Sequence, residues 1–537
     1  MTYKDLFTEA TKHEPYPYQI RLATTPELPQ LLDIPTGCGK TSAVVLAWLW
    51  RRRFAEDEVR KSTPRRLVYC LPMRVLVEQT RNNCVKWLEN LGMLANAPGE
   101  NKAPQDDSKP IDGWAKEHGD KGNRIAVTVL MGGEDKDEWD LYPERDAIII
   151  GTQDMLLSRA LNRGYGMSKY RWPMHFGLLN NDCLWVMDEV QLMGVGVETT
   201  SQMDAFRKKL GCLGNCESIW MSATTDPKQM NTVDQDTIEN KFKLSQKDHV
   251  FGEIEKRKNA EKKIGDRDLI LNKENEKSGE YYQQIIDLIL DEHIADTLTL
   301  VIVNTVDRAQ NIFKRIKEDE RCPENISLLH SRFRKPDRDR NLKILGQDGD
   351  RLIISTQVVE AGVDIDSTTM ITEIAPWPSL VQRFGRCNRK GNSSNARVFI
   401  VDADESMAAP YEEEGIESSR NNLKELSGVS LKEIDAVKYE PPFVVRPVIR
   451  RKDIMELFDT TPDLSGNDLD ISRYVREGDN KDVQVLWREF DDEPSDDMAK
   501  PARDELCSVP IGKISKFLSK KGNDGYIWDG LDSRWKK

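Results

Sequence analysis

Between residues 31 and 51 the chain runs apolar, then glycine-rich, then apolar with helical spacing, and this stretch constrains the possible folds more than any other. Leu31-Leu-Asp-Ile-Pro35 enters the turn, Pro35-Thr36-Gly37-Cys38-Gly39-Lys40-Thr41 forms it, and residues 42–51 follow as a helix. Glycines let backbone N–H groups approach phosphate oxygens, and the positive end of the helix dipole favours the anion. Lys40 can reach the terminal phosphates of a nucleoside triphosphate, and the Thr41 hydroxyl can ligate Mg²⁺. A strand–turn–helix of this kind belongs to a parallel α/β sheet.

Further strands are predicted at 66–71, 125–130, 147–151, 183–187 and 218–221, with a helix at about 74–91. A second α/β block follows, with strands at 298–303, 351–355, 370–374 and 398–401. The expected organisation is a first domain at 1–235, carrying a polar insertion at 94–124, and a second domain at 280–405. A charged connector spans 236–279, read as solvated. An acidic helical linker at 406–440 and a smaller C-terminal accessory region at 441–537 complete the chain.

Acidic residues outnumber basic ones 91 to 78, so any nucleic-acid contact must be a local basic groove rather than a polycationic surface. The nine cysteines form no framework, and an odd, scattered set implies reduced thiols. Cys212 and Cys216 lack a second pair nearby and read as plain thiols rather than half a zinc site. The first residues, Met1-Thr-Tyr-Lys-Asp-Leu-Phe, do not show a charged-then-apolar signal pattern, and no apolar run approaches the ~20 residues of a spanning helix. The expectation is a cytoplasmic chain with no membrane contact.

The apolar stretch Leu184-Trp-Val-Met-Asp188-Glu189-Val-Gln191 ends in adjacent carboxylates. Alone, such a pair is usually a solvated turn. Beside a phosphate loop, Asp188 suits Mg²⁺ and Glu189 suits orienting and deprotonating an attacking water.

These two sites open a series that resembles the superfamily 2 helicases. Tyr16-Pro-Tyr-Gln19 resembles their upstream glutamine motif, which implies that Gln19 reads the adenine edge. That family also uses the shortened phosphate loop, with Ile34 where the longer form has its first glycine; Thr36, Gly37, Cys38, Gly39, Lys40, Thr41 and Ser42 would surround the nucleotide. Arg74 and Gln79 lie in a stretch like the strand-contacting motif Ia. Gly132-Gly133 and Gly151-Thr152-Gln-Asp154 resemble motifs that hold strand phosphates. Ser222-Ala-Thr224 resembles the motif coupling hydrolysis to strand movement, and Gln191 and Gln382 are assigned to coupling with it. In the second block Asn304-Thr305 resembles motif IV. Ser355-Thr356 through Glu360, Gly362, Asp364 and Asp366 resembles motif V, and Gln382-Arg383-Phe-Gly-Arg386-Cys-Asn-Arg389 resembles motif VI. The likeness implies strand contacts at Asn304, Thr305, Arg332 and Thr356, nucleotide contacts at Gly362 and Asp364, and γ-phosphate contacts at Arg386 and Arg389. It implies an α/β fold of two tandem RecA-like parallel-sheet domains with an ATP cleft between them.

A narrower resemblance is carried by Trp172-Pro-Met-His175-Phe-Gly-Leu-Leu-Asn-Asn181, by Leu328-Leu-His330-Ser-Arg332-Phe and by Gln357-Val-Val-Glu360. These look like the motor of the CRISPR-associated type I helicase–nuclease. Gln191, Gly151-Thr-Gln-Asp-Met-Leu-Leu-Ser-Arg159-Ala and Leu457-Phe-Asp-Thr-Thr-Pro-Asp-Leu464 resemble its subtype G branch. That resemblance implies ATP and Mg²⁺ as cofactors and recruitment to the R-loop of an RNA-guided surveillance complex. Its motor would then translocate 3′ to 5′ on the displaced single-stranded DNA. The family's HD nuclease needs His-Asp ligands, yet none of the six histidines is followed by Asp. The expectation is that the nuclease lies beyond the C-terminus or on a separate chain. The alternatives are an RNA helicase of the same fold and an ATP-gated clamp that does not unwind. Trp139 and Trp377 are expected to pack in the core rather than stack on bases, and His330 is left open between strand contact and plain loop.

Overall fold

The computed structural model describes the chain except for residues 96–123, 133–138, 223–229, 236, 267, 438, 440–443, 460–468, 477–481, 491–493, 496–497, 500, 530–533 and 537. Gly133, Thr224, most of the polar insertion and part of the 457–464 stretch lie outside the described residues. Contacts divide the chain into a unit of residues 1–259 with 438–477 and a unit of residues 260–437 with 478–537.

The first unit is built on seven strands: β1 (Leu31–Asp33), β2 (Arg66–Leu71), β3 (Ala126–Leu130), β4 (Ala147–Thr152), β5 (Cys183–Met187), β6 (Cys216–Ser222) and β7 (Lys241–Lys243). All pairings are parallel, in the order β3-β4-β2-β5-β6-β1-β7. Strands β2, β4 and β5 are buried along their whole length. This accounts for their near-continuous apolar runs: a parallel sheet covered on both faces has no solvent side to mark with polar residues. The buried indoles of Trp48, Trp185 and Trp220 each donate to an oxygen, on Pro64 at 2.8 Å, Leu179 at 2.7 Å and Thr200 at 3.0 Å. No polar group of these large side chains is left unpaired in the core.

The connector is structured. Its first half forms edge strand β7 and the helices Gln246–His249 and Gly252–Lys258, all within the first unit. Arg21 holds it there, pairing with Asp248 at 2.7 Å and lying 4.2 Å over the Phe242 ring. Charged side chains flanking a single apolar residue suit an edge strand, so the lysine-rich composition disguised a structural element.

The region expected as one C-terminal accessory piece also divides. Arg446, Ile449 and Tyr474 from its first part bond to the helix Gly196–Leu210, where Gln202 exchanges two hydrogen bonds with the Ile449 backbone, at 2.7 and 3.1 Å. Thr199 donates to the Tyr474 carbonyl at 2.6 Å, and Arg446 pairs with Glu198 at 2.7 Å. These bonds explain how a helix with a buried run of Thr, Ser, Gln and Asp can be stable.

The second unit holds β8 (Lys263–Ile264), β9 (Ile270–Leu271), β10 (Leu298–Ile302), β11 (Asn325–Leu329), β12 (Arg351–Ser355), β13 (Thr369–Glu373) and β14 (Arg397–Ala403). Their order is β11-β12-β10-β13-β14-β8, with β9 beside the end of β14, again all parallel. Two antiparallel pairs, β15 (Asp482–Val485) with β16 (Cys507–Pro510) and β17 (Ile527–Asp529) with β18 (Arg534–Lys536), belong to this unit. Trp139 and Trp377 are both buried, Trp139 against His175 and Trp377 against Phe384, so both are packing residues. Among the described residues no helix is long and apolar enough to cross a membrane.

Candidate functional site

Parallel strands bring their carboxyl ends to one edge of a sheet, and in open α/β folds that edge is where ligands bind. In the first unit Lys40 follows β1, Arg74 follows β2, Gly132 follows β3, Thr152 ends β4, Asp188 follows β5 and Ser222 ends β6. One edge therefore carries the described motif residues of this unit.

At the phosphate loop, Gly37 and Gly39 adopt φ of 82° and 76°, a left-handed backbone that favours glycine. Gly39 also caps the helix Lys40–Arg53, and Lys40 opens it. Lys40 is only 6% exposed, and its Nζ is buried without a hydrogen-bond partner. A buried ammonium with no acceptor is costly unless an anion joins it. Gln19, expected to read a base, spends its side chain on the loop: Nε2 donates to the Gly39 carbonyl at 3.0 Å while Oε1 accepts from the Tyr16 N–H at 2.8 Å.

Asp188 is buried, and its Oδ2 accepts from the Tyr69 hydroxyl at 2.7 Å while Oδ1 accepts from the Glu189 N–H at 2.9 Å. Burial and the neighbouring Glu189 charge push its carboxyl up to about 6, against the pull of Lys40. The Thr41 side chain stands near the same Tyr69 phenol and counters part of the rise that burial causes in it. One tyrosine thus gathers the two side chains expected to hold Mg²⁺. A single carboxylate and a hydroxyl suit Mg²⁺, which keeps most of its shell for water and phosphate oxygens. Among the described residues no group of three or more His, Cys, Asp or Glu could hold a metal by itself.

Glu189 sits at φ 52°, which turns its side chain onto Gln191: Gln191 Nε2 donates to Glu189 Oε2 at 2.6 Å. Gln191 Oε1 in turn accepts from the Ser222 hydroxyl at 2.9 Å. The residue expected to activate water and two expected to couple it to movement form one hydrogen-bonded chain.

On the same edge, exposed Arg74 opens the helix Arg74–Asn90, and a Cβ at Gly132 would lie 3.1 Å from its guanidinium. Gln79 is exposed on that helix, and Thr152 is the nearly buried cap of the helix Gln153–Ala160. Asp154 pairs with Arg476, so its carboxylate steadies a basic side chain rather than facing a phosphate itself.

In the second unit Thr305 follows β10, Arg332 follows β11 and Thr356 follows β12. Thr305 caps the helix Val306–Ile316, accepting from the Arg308 N–H at 3.3 Å. Thr356 is 2% exposed and pairs its N–H with the Leu329 carbonyl at 3.1 Å. Asn304, expected as a strand contact, is internal. Its Nδ2 donates to the Ile374 carbonyl at 2.7 Å and its Oδ1 accepts from Arg383 at 3.0 Å, so it braces Thr305. Arg332 pairs with Asp307 at 3.2 Å, and Asp307 also binds Lys513 at 2.8 Å. His330 is buried and stacked on Phe333 at 4.0 Å; burial and the nearby Arg332 hold its imidazole down at about 4, so it is a neutral packing group.

Gly362 needs its positive φ of 75°. Arg386 donates to the carbonyls of Val359 at 2.9 Å and Glu360 at 2.6 Å, and Arg389 meets Asp364 at 3.3 Å. Gln382 is buried with its Nε2 making no hydrogen bond.

Residues 20–233 match the DEAD/DEAH box helicase family model, and residues 295–392 match the model of the C-terminal part of the CRISPR-associated nuclease/helicase Cas3. The CRISPR-associated helicase Cas3 of Thermoproteus tenax is 36% identical over 136 residues, 24% of this chain and 22% of that protein. The CRISPR-associated nuclease/helicase Cas3 of Methanothermobacter thermautotrophicus is 34% identical over 149 residues, 26% of this chain and 17% of that protein. The crystal structure of T. fusca Cas3-AMPPNP overlays with a TM-score of 0.51 at 16% identity, covering 85% of this chain and 53% of that one. This chain carries a Cas3-like helicase core. The matched stretches span about a fifth of the curated relatives' length.

Two participants in this Cas3-like core escape motif reading. Tyr69 lies inside the apolar run of β2, where its hydroxyl was the only signal. Arg476 follows the short helix Ser472–Val475, more than 300 residues from the Asp154 it meets, and no local pattern links them.

Proposed function

We propose that this Cas3-like core is an ATP-driven motor that translocates 3′ to 5′ on single-stranded DNA. In this reading the phosphate loop from Thr36 to Ser42 and the buried Lys40 hold the triphosphate. Thr41 and Asp188 would hold Mg²⁺, which neutralises phosphate charge when bound. Glu189 takes the proton of the attacking water, and Arg386 and Arg389 act on the γ-phosphate, with Gly362 and Asp364 beside the nucleotide. Arg74, Gln79, Thr152, Thr305, Arg332 and Thr356 hold strand phosphates.

The observation that carries this reading is the hydrogen-bonded chain Glu189–Gln191–Ser222. It runs from the base that activates water to the end of β6, where the coupling motif begins, and an ATP-gated clamp would not require it. The setting we propose is CRISPR type I interference, of the subtype G branch, at the displaced strand of an R-loop opened by an RNA-guided surveillance complex. A nuclease in cis or in trans would cut the strand delivered.

ATP turnover measured with single-stranded DNA, with single-stranded RNA and with neither tests the reading. Stimulation by DNA above RNA supports it. Stimulation by RNA alone would make the chain an RNA helicase, and equal turnover in all three would leave a clamp.

A further inference from the structure

Arg257 belongs to no motif above. It lies in the last turn of the helix Gly252–Lys258, the final element of the first unit before the chain passes into the second after Asn259. Phe251, capping that helix, packs edge-on against Tyr16 with ring centres 5.5 Å apart. From this seat Arg257 Nη1 donates to the carbonyl of Gly37 in the phosphate loop. Its Nε is buried without a hydrogen-bond partner, and no carboxylate pairs with it among the described residues. A partly buried guanidinium usually takes a carboxylate, so a lone loop carbonyl as partner calls for a reason.

The reason lies in the planar peptide. The C=O of one residue and the N–H of the next share a plane and point in opposite directions. Three successive loop carbonyls are each held by a side chain: Gly37 by Arg257, Cys38 by the Tyr18 hydroxyl at 2.6 Å, and Gly39 by Gln19 at 3.0 Å. Fixing those three carbonyls turns the N–H groups of Cys38, Gly39 and Lys40 the other way, away from the three side chains.

We propose that Arg257 is a positioning residue for the phosphate loop, the third of three carbonyl clamps. Tyr18 and Gln19 come from the helix Pro17–Thr24, whereas Arg257 comes from the segment leading out of the unit. A shift of that segment releases one N–H of the cradle. The inference rests on the proposed reading of the loop as the ATP site.

The test compares Arg257→Ala, Arg257→Gln, Arg257→Lys and Lys40→Ala by ATP affinity and steady-state hydrolysis. Arg257→Ala raises KM for ATP about tenfold, the worth of one charge-assisted hydrogen bond, while kcat at saturating ATP falls less than about threefold. Arg257→Lys recovers most of the KM, and Arg257→Gln lies between. Should Arg257→Ala not fold, the order wild type, Lys, Gln in rising KM carries the same information. A KM within about twofold of wild type in the Gln and Lys variants, with Lys40→Ala abolishing ATP binding, overturns the clamp. If Lys40→Ala also binds ATP normally, the loop is not the nucleotide site, and that reading falls instead.

Discussion

In the first unit the buried Lys40 ends in an ammonium with no hydrogen-bond acceptor, whereas in the second unit the buried Arg383 has every nitrogen engaged. Arg383 binds Glu360 at 2.8 Å, Thr372 at 2.9 Å, the Glu373 carbonyl at 2.8 Å, Asn304 at 3.0 Å and Tyr411 at 3.1 Å. Glu373 is further held by Tyr281 at 2.8 Å and Arg308 at 2.9 Å. One site is left electrostatically unfinished, and the other is complete within its own unit. Natural interiors rarely tolerate the first arrangement, so an unfinished cation marks a place kept for a ligand. The finished network marks a platform whose task is to keep Thr305 and the stretch from Glu360 to Arg389 in place.

The largest expected effect comes from the open side. Glu189→Gln should lower kcat for ATP by about 10²–10⁴ while ATP still binds, because the lost group moves a proton and holds no phosphate. Lys40→Met should abolish both binding and hydrolysis, yet leave the thermal midpoint unchanged or raised, since it removes a buried charge that no hydrogen bond satisfies. Stopped hydrolysis with a lowered midpoint in Lys40→Met would erase the contrast.

Arg383→Ala should do the reverse. Breaking a buried, hydrogen-bonded charge network costs about 3–5 kcal/mol, read as a loss of unfolding free energy in urea. Arg383→Lys should recover little, since an ammonium cannot span the same partners. Near-native stability in Arg383→Ala would show that the network is not what holds this unit.

A smaller effect is expected where hydrolysis meets movement. Gln191→Ala removes a side chain bonded to both Glu189 and Ser222. Strand-stimulated turnover should fall about tenfold, the scale of one hydrogen bond to a charged group, with unstimulated turnover falling less. An equal fall in both would make Gln191 a support for Glu189 alone.

The smallest effect concerns pH. The His330 imidazole is held down at about 4 in the fold, below its ordinary value near 6.5. The folded state therefore binds fewer protons than the unfolded chain as pH falls through that window. The stability this neutral group contributes is complete above about 6.5 and drains away as pH falls toward 4. His330→Phe, which keeps the stacking on Phe333, should flatten that part of the stability profile.

Legibility in the sequence followed the range of the interaction. The phosphate loop, the Asp188-Glu189 turn and the two parallel sheets were visible because each is written in contiguous residues: glycines at positive φ, paired carboxylates after a strand, apolar runs between helices. Gln191 and Ser222 were assigned to coupling by their motifs alone; that they touch follows from the parallel sheet, which brings the ends of β5 and β6 together. Arg257 and β7 were hidden by composition, since a lysine- and glutamate-rich stretch looks solvated whether or not it pairs along a sheet edge. Asn304 was misplaced on the strand because its motif signals position, while burial decides whether its amide faces a ligand or a neighbour. The bonds of Gln202 to Ile449 and of Asp154 to Arg476 join segments far apart in the chain, and no periodicity records them.

The most direct test of the motor reading is release of streptavidin from end-biotinylated single-stranded DNA. With ATP and Mg²⁺ the chain should release it from the 5′ end much faster than from the 3′ end, and Lys40→Met should release neither. Strand-stimulated ATP hydrolysis without release from either end would contradict the account and leave a clamp that burns ATP without moving.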